Sequence, residues 1–145
     1  MSTHVLTASS EAPMAIGGKA ARIQWLIRHR YRVPETWVVP AIQPPPDLNE
    51  VEQWLPDRGP WAVRSSAAVE DGFEASYAGQ FATELDVFGS AKVAQAIRTV
   101  RLSAVGSTVT AYRERTGDTS AIAMSVMVQR MVTPRVSGVA FSRNP

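Results

Sequence analysis

Cysteine is missing from all 145 residues, which removes disulfides, thiolate metal sites, zinc fingers and cysteine nucleophiles together. Histidine is almost missing: His4 and His29 stand far apart, without the paired spacing of a histidine metal site. Lysine is scarce as well, with Lys19 and Lys92 set against thirteen arginines. No long apolar run occurs, and a composition of 45% hydrophobic and 19% charged residues fits neither a disordered tail nor a bilayer span. The segment Met1 to Pro13 lacks the basic start and apolar stretch of a signal peptide, so a cytoplasmic location is expected. Charge of one sign is also sparse, at a net +2. The single basic cluster (Arg28, His29, Arg30, Arg32) reads as a solvated helix end. Neither a long basic stripe nor interleaved exposed aromatics marks a nucleic-acid groove, so neither nucleic acid nor membrane is expected as a partner.

What is present suffices for one good core, since a chain of this length buries roughly 70% of its unfolded surface. Ile16, Ala20, Ile23, Leu26 and Ile27 recur at helical spacing behind Gly17-Gly18, predicting an amphipathic helix that stops before Val33-Pro34. Thr36 to Val39 reads as a short buried strand ended by Pro40. Pro44, Pro45 and Pro46 make a stiff spacer, and Asp47 is placed to cap a helix running to about Leu55. Trp61 to Arg64 is a strand that runs into Ser65-Ser66-Ala67. Val69 to Phe81 reads as a mobile loop, and Thr83, Leu85 and Val87 alternate with Glu84 and Asp86 as in a half-buried strand. Ser90 is placed to cap a helix through Leu102, and a second helical stretch is expected from Ser107 to Arg115. Ile122 to Val128 and Val136 to Phe141 read as strands joined by a turn at Thr133-Pro134-Arg135. The pattern predicts an α+β lobe, an antiparallel sheet with helices packed on one side.

Three segments carry chemistry. Gly17-Gly18-Lys19 opens a helix, where unpaired amides and the helix dipole favour an anion and the lysine adds a mobile positive charge. Its plainer reading is a tight turn with a surface charge, and it lacks the spaced glycine and trailing hydroxyl of a Walker loop. Ala62-Val63-Arg64-Ser65-Ser66-Ala67 sets an arginine at a strand end with two hydroxyls behind it, able to present a bidentate cation and donors to phosphate oxygens, or an arginine paired with Glu70 or Asp71. Ser76-Tyr77-Ala78-Gly79-Gln80 is small enough to close over phosphates, or to be an ordinary turn.

In order, Gly-Gly-Lys, Ala-Val-Arg-Ser-Ser-Ala, Ala-Ser-Tyr-Ala-Gly-Gln, Val-Met-Val-Gln-Arg-Met-Val and Ser-Gly-Val-Ala-Phe-Ser-Arg-Asn-Pro resemble the N-terminal ATP-binding region of phosphoenolpyruvate synthase and pyruvate phosphate dikinase, a group that includes rifamycin phosphotransferases. The resemblance runs from Gly17 to Pro145. It implies the first lobe of an ATP-grasp fold. Lys19 and Arg64 would contact ATP phosphates, and Ala78, Gly79 and Gln80, leading to Thr83, would form the lid over them. Met131 and Val132 would hold adenine through main-chain groups, flanked by Gln129. Ser137-Gly138-Val139 is left as a bend.

The resemblance also implies parts expected outside this chain: a second ATP-grasp lobe with the Mg2+ ligands, a phosphoryl-accepting histidine domain and a pyruvate domain. These would be partners in cis or in trans. The stretch between Pro40 and Trp61 is shorter than in the family. The expected function is the ATP-binding portion of an ATP-dependent dikinase or phosphotransferase that phosphorylates a histidine in another domain on the way to pyruvate or a rifamycin-like acceptor. The alternative is a free-standing, non-catalytic nucleotide-binding or regulatory module. Either would expose an apolar face and self-associate through it.

Overall fold

A computed structural model describes residues 4–5, 7, 16–67, 81–105 and 123–138. The elements are β1 (His4–Val5), α1 (Gly17–Arg28), β2 (Thr36–Val39), α2 (Leu48–Trp54), β3 (Trp61–Ala67), β4 (Thr83–Val87), α3 (Ser90–Leu102) and β5 (Met124–Arg130), with a 3-10 turn at Ser103–Val105. The strands form one sheet in the order β1-β2-β5-β3-β4, with every neighbouring pair antiparallel. The architecture is α+β. The last of the described strands, β5, lies at the centre of the sheet, and β2 and β3 meet only through it.

Helices cover both faces of the sheet, which corrects the expectation of one. On one face Trp37, Trp61, Val63 and Val128 pack against α2 and α3 through Val51, Val93, Ile97 and Val100. On the other, Ile16 and Ala20 of α1 pack on Val38 and Met127, with Ile23 and Ile27 alongside. The reason lies in the runs Thr36–Val39 and Met124–Gln129, which are buried at every position. A strand with solvent on one side alternates, whereas a strand covered on both sides reads as a continuous run.

At β4 the sequence pattern misleads. Thr83, Leu85 and Val87 were expected to face inward, yet Val87 is buried while Leu85 is 58% exposed. Trp61 pairs with Val87 but Val63 pairs with Glu84, so three steps along β4 match two along β3, and Asp86 takes a left-handed φ of 54°. An inserted residue inverts the side-chain alternation beyond it. Thr83 is thereby paired with Arg64 and shares its face.

Chain signals set the helix ends, with one difference from expectation. Asp47 and Glu50 form a capping box at α2: the Glu50 N–H donates to Asp47 Oδ1 at 2.9 Å and the Asp47 N–H to Glu50 Oε2 at 3.0 Å. For α3 the cap position is Gly89, not Ser90, whose hydroxyl instead donates to Glu52 Oε1 at 3.2 Å. α1 ends at Arg28, before Val33-Pro34 as expected, and the chain turns away through Arg30 at a φ of 62°. Exposed aromatic rings do lie among the arginines here, against expectation: Trp25 stacks on His29 at 3.8 Å and neighbours Tyr31 at 6.3 Å. Residues 131–138 carry no strand, and so the expected strand from Val136 is not formed over its described part. The expected loop at 69–80, the expected helix at 107–115 and residues 139–141 lie outside the described residues.

Arg101 of α3 ties the proline-rich connection to the sheet. Its guanidinium donates to the carbonyl oxygens of Gln43 and Pro40, with a longer 3.5 Å contact to that of Val39. Burial pushes its pKa below the ordinary arginine value. Arg101→Met keeps much of the side-chain volume but removes the charged donors, and is expected to lower stability by about 2 kcal/mol in urea unfolding.

Candidate phosphate and adenine face

Gly17 can open α1 because it has no side chain. Its φ is 76°, and a β-carbon there would lie 2.0 Å from the carbonyl oxygen of Ser66 on β3. The cap position of α1 is Ile16, whose side chain makes no cap hydrogen bond. Ser66 does that work from across the fold: its buried hydroxyl donates to the Ile16 carbonyl at 2.8 Å and accepts the Ala20 N–H at 3.0 Å. Of the amides at the start of α1 that suggested an anion site, that of Ala20 is therefore committed to the protein itself. Ser66→Ala leaves a buried donor and a buried acceptor unmatched, and a loss of about 2–3 kcal/mol is expected in denaturant unfolding.

Because side chains alternate along a strand, Arg64 lies on the same face as Ser66, two residues earlier. Val38, Met127, Arg64 and Thr83 form one row across four strands. α1 covers Val38 and Met127, while Arg64 is half-buried and Thr83 is exposed. Lys19 precedes the Ala20 amide that Ser66 holds. The fold thus brings the start of α1, Arg64 and Thr83 to one face. Among the described residues no carboxylate pairs with Arg64; Glu70, Asp71, Ala78, Gly79 and Gln80 lie outside them.

Gln129 stands two residues along β5 from Met127, on this same face, opposite Thr36 and Ala62. It is buried, and its amide donates to Thr36 Oγ1 at 3.0 Å. That hydroxyl in turn donates to the Pro34 carbonyl at 2.8 Å, which orients the pair. The Met131 N–H donates to the Pro60 carbonyl at 3.1 Å, so it is already engaged. Val132 is 62% exposed.

Arg130, between Gln129 and Met131, was not singled out from the sequence. Its side chain lies on the opposite face, with the guanidinium carbon 4.3 Å from the centre of the Trp61 ring. It reaches Asp57 in bidentate fashion at 2.8 and 3.3 Å and Glu35 at 3.4 Å. Asp57 Oδ1 also accepts the Gly59 N–H at 2.8 Å. The hydrogen bond from Arg130 holds the Asp57 carboxyl below its ordinary value, and the pairing raises that of Arg130. With a depressed folded-state pKa, the pair's contribution is fully present above the unfolded value and fades only as pH falls through the lowered one. Nothing in the local pattern marks Arg130, because its partners come from other strands' entries.

Clefts of about 470 and 480 Å3 lie elsewhere, one beside Phe88 and Arg58 and the other beside Tyr31 and Val33. Among the described residues no three His, Asp or Glu side chains gather to hold a metal ion, and no helix is long and apolar enough to cross a membrane.

A family model for the pyruvate phosphate dikinase AMP/ATP-binding domain matches residues 47–145. The chain belongs to this family. Arg64, Ala78 to Thr83 and Gln129 to Val132 fall inside the matched span of the AMP/ATP-binding domain, and Lys19 precedes it. The chain is 44% identical over 85 residues to a phosphoenolpyruvate synthase of Aeropyrum pernix, covering 58% of this chain and 10% of the relative. It is 41% identical over 90 residues to a rifampicin phosphotransferase of a Streptomyces species, covering 61% and 10%. With a rifampicin phosphotransferase of Bacillus cereus it shares 36% identity over 113 residues, covering 74% and 13%. The chain therefore spans only about a tenth of the length of these relatives.

Proposed function

We propose that this chain is the first lobe of an ATP-grasp fold and binds ATP on the face that carries Arg64, as part of an ATP-dependent dikinase or phosphotransferase. Lys19 and Arg64 bind phosphate oxygens. Ala78, Gly79 and Gln80 close over the triphosphate as far as Thr83, while Met131 and Val132 hold adenine beside Gln129. The observation that carries this reading is the shared face: the Ser66 anchor and the β4 bulge deliver Lys19's helix start and Thr83 to either side of Arg64. Along β5, Met131 is four residues from the position opposite Arg64, about 13 Å of extended chain. That suits a nucleoside triphosphate lying along the strand with its base at the Met131 end. Since the Met131 N–H is engaged, its carbonyl and the Val132 main chain are the groups offered to adenine.

Phosphoryl transfer depends mainly on positioning and charge neutralisation. This face supplies cations and a base-binding edge, but no metal cluster among its described residues. Mg2+, which would neutralise phosphate charge alongside Lys19 and Arg64, falls to a second lobe. The phosphoryl group would pass to a histidine in another domain, then to pyruvate or a rifamycin-like hydroxyl, in the cytoplasm. Calorimetric titration of the chain with ATP, with and without Mg2+, tests the reading. Binding weaker than about 10 micromolar, or about 7 kcal/mol, that weakens further in Lys19→Ala is expected. ATP binding that neither Lys19→Ala nor Arg64→Ala changes would overturn it.

A further inference from the structure

The start of the 131–138 segment is held in place by more than the sheet ladder. Arg130 donates its backbone N–H to the Glu35 carbonyl at 2.9 Å, and Met131 donates to the Pro60 carbonyl at 3.1 Å. β5 therefore leaves the sheet between the entries of β2 and β3, and touches both. The Arg130 side chain repeats the same link. Its guanidinium joins Glu35, the residue before β2, to Asp57, in the approach to β3, while lying over the Trp61 ring of β3 itself. Asp57 is in turn aimed by the Gly59 N–H.

We propose that the Arg130–Asp57–Glu35 cluster is a positioning device for base recognition, fixing where the Met131 and Val132 main chain sits and so which nucleotide base it accepts. This inference rests on the ATP-binding reading above. Arg130 is a positioning residue rather than a contact residue. Antiparallel pairing puts it on the face of Trp61, whereas Gln129 and Arg64 point to the other face. Its effect must therefore pass through the backbone, by fixing the first residue of a segment that has no ladder of its own from Met131 onward. Main-chain recognition of a base discriminates by the position of a donor and an acceptor. A displacement of under an ångström costs hydrogen-bond geometry at the base while leaving phosphate contacts around Arg64 alone.

The ion pairs are partly exposed, with Arg130, Asp57 and Glu35 side chains at 32%, 50% and 45% exposure. Exposed pairs contribute little to global stability, so variants in them keep the fold and report on function. Bidentate geometry and the ring beneath limit the guanidinium to one orientation. A lysine at 130 would keep the charge and lose that orientation.

The test compares the full chain with Arg130→Met, Arg130→Lys and Asp57→Asn. It measures melting temperature, dissociation constants for ATP and GTP, and competition by inorganic tripolyphosphate. The expected result is that Arg130→Met and Asp57→Asn weaken ATP about five- to tenfold. The preference for ATP over GTP shrinks, tripolyphosphate affinity stays within about twofold, and Arg130→Lys does not restore the preference. A merely structural role would lower melting temperature and weaken ATP, GTP and tripolyphosphate together, and that outcome overturns the proposal. Unchanged ATP affinity and unchanged base preference in both charge-removing variants overturn it as well, while leaving the ATP-binding reading intact. Failure of the wild-type chain to bind any of the three ligands overturns both.

Discussion

Gly17→Ala is expected to undock the start of α1 and to cost on the order of 4 kcal/mol. Two penalties combine. Alanine at a φ of 76° is strained on its own by about 1 kcal/mol. The added carbon would also lie 2.0 Å from the Ser66 carbonyl oxygen and 2.7 Å from its hydroxyl. The first of these is backbone in a strand laddered to β5, with Ser66 opposite Ser125, so it cannot move aside without disturbing the ladder. Relief comes instead by lifting α1, which breaks both Ser66 hydrogen bonds and uncovers Val38 and Met127. Unfolding in denaturant is the measurement. A change below about 1 kcal/mol would show that α1 is not held against β3 as described. Gly89→Ala is the internal comparison, since it has a φ of 80° but nothing within 4 Å of the added carbon. Its cost should be only the strain.

On the ATP-binding reading proposed above, Arg64→Ala in a complete dikinase or phosphotransferase carrying this lobe is expected to lower ATP-dependent phosphoryl transfer about 100-fold, with a smaller effect on ATP affinity. Removing one preorganised donor from a developing oxyanion costs about 2.7–4 kcal/mol in transition-state stabilisation. Arg64 is preorganised in this sense, because its strand is paired with β5 and β4 on either side. Among the described residues no carboxylate has to be displaced before a phosphate can pair with it. Lys19→Ala should act in the same direction. The double variant should lose less than the product of the two single losses, because neighbouring groups on one ligand are coupled. Arg64→Lys keeps the charge but loses the fork, and should restore only part of the activity. Steady-state turnover and binding of ATP, measured on the same four proteins, separate the two effects. Full activity in Arg64→Ala would remove the phosphate-binding role.

Neither effect could be sized from the sequence, although Gly17, Lys19, Arg64 and Ser66 all stand in the motifs marked there; the motif offers the Ser66 hydroxyl to phosphate, whereas the fold commits it to α1. Local signals were legible because they act within one or two turns of chain. Asp47 and Glu50 cap α2 over three residues, Gly17 opens α1, and the proline at 40 ends β2. The order of the motifs identified the family on the same basis. Strands β2, β3 and β5 were visible as apolar runs, but a run buried at every position does not say what covers each face. The expectation of helices on one side failed for that reason.

What the sequence by itself determined is the set of α1 to α3 and β2 to β5, the Asp47 cap of α2 and the family, since periodicity and local capping are short-range and each is written within one segment. The tertiary structure alone decided which side chains share a face and which act together. Ser66 caps a helix 46 residues away, and Arg130 reaches carboxylates 73 and 95 residues away. The bulge at Asp86 turns Thr83 toward Arg64 and Leu85 to solvent. The Arg130 contacts follow from β5 entering the sheet between β2 and β3. No window of the sequence contains that pairing, because it depends on side chains and ladders that meet only after the chain has closed on itself.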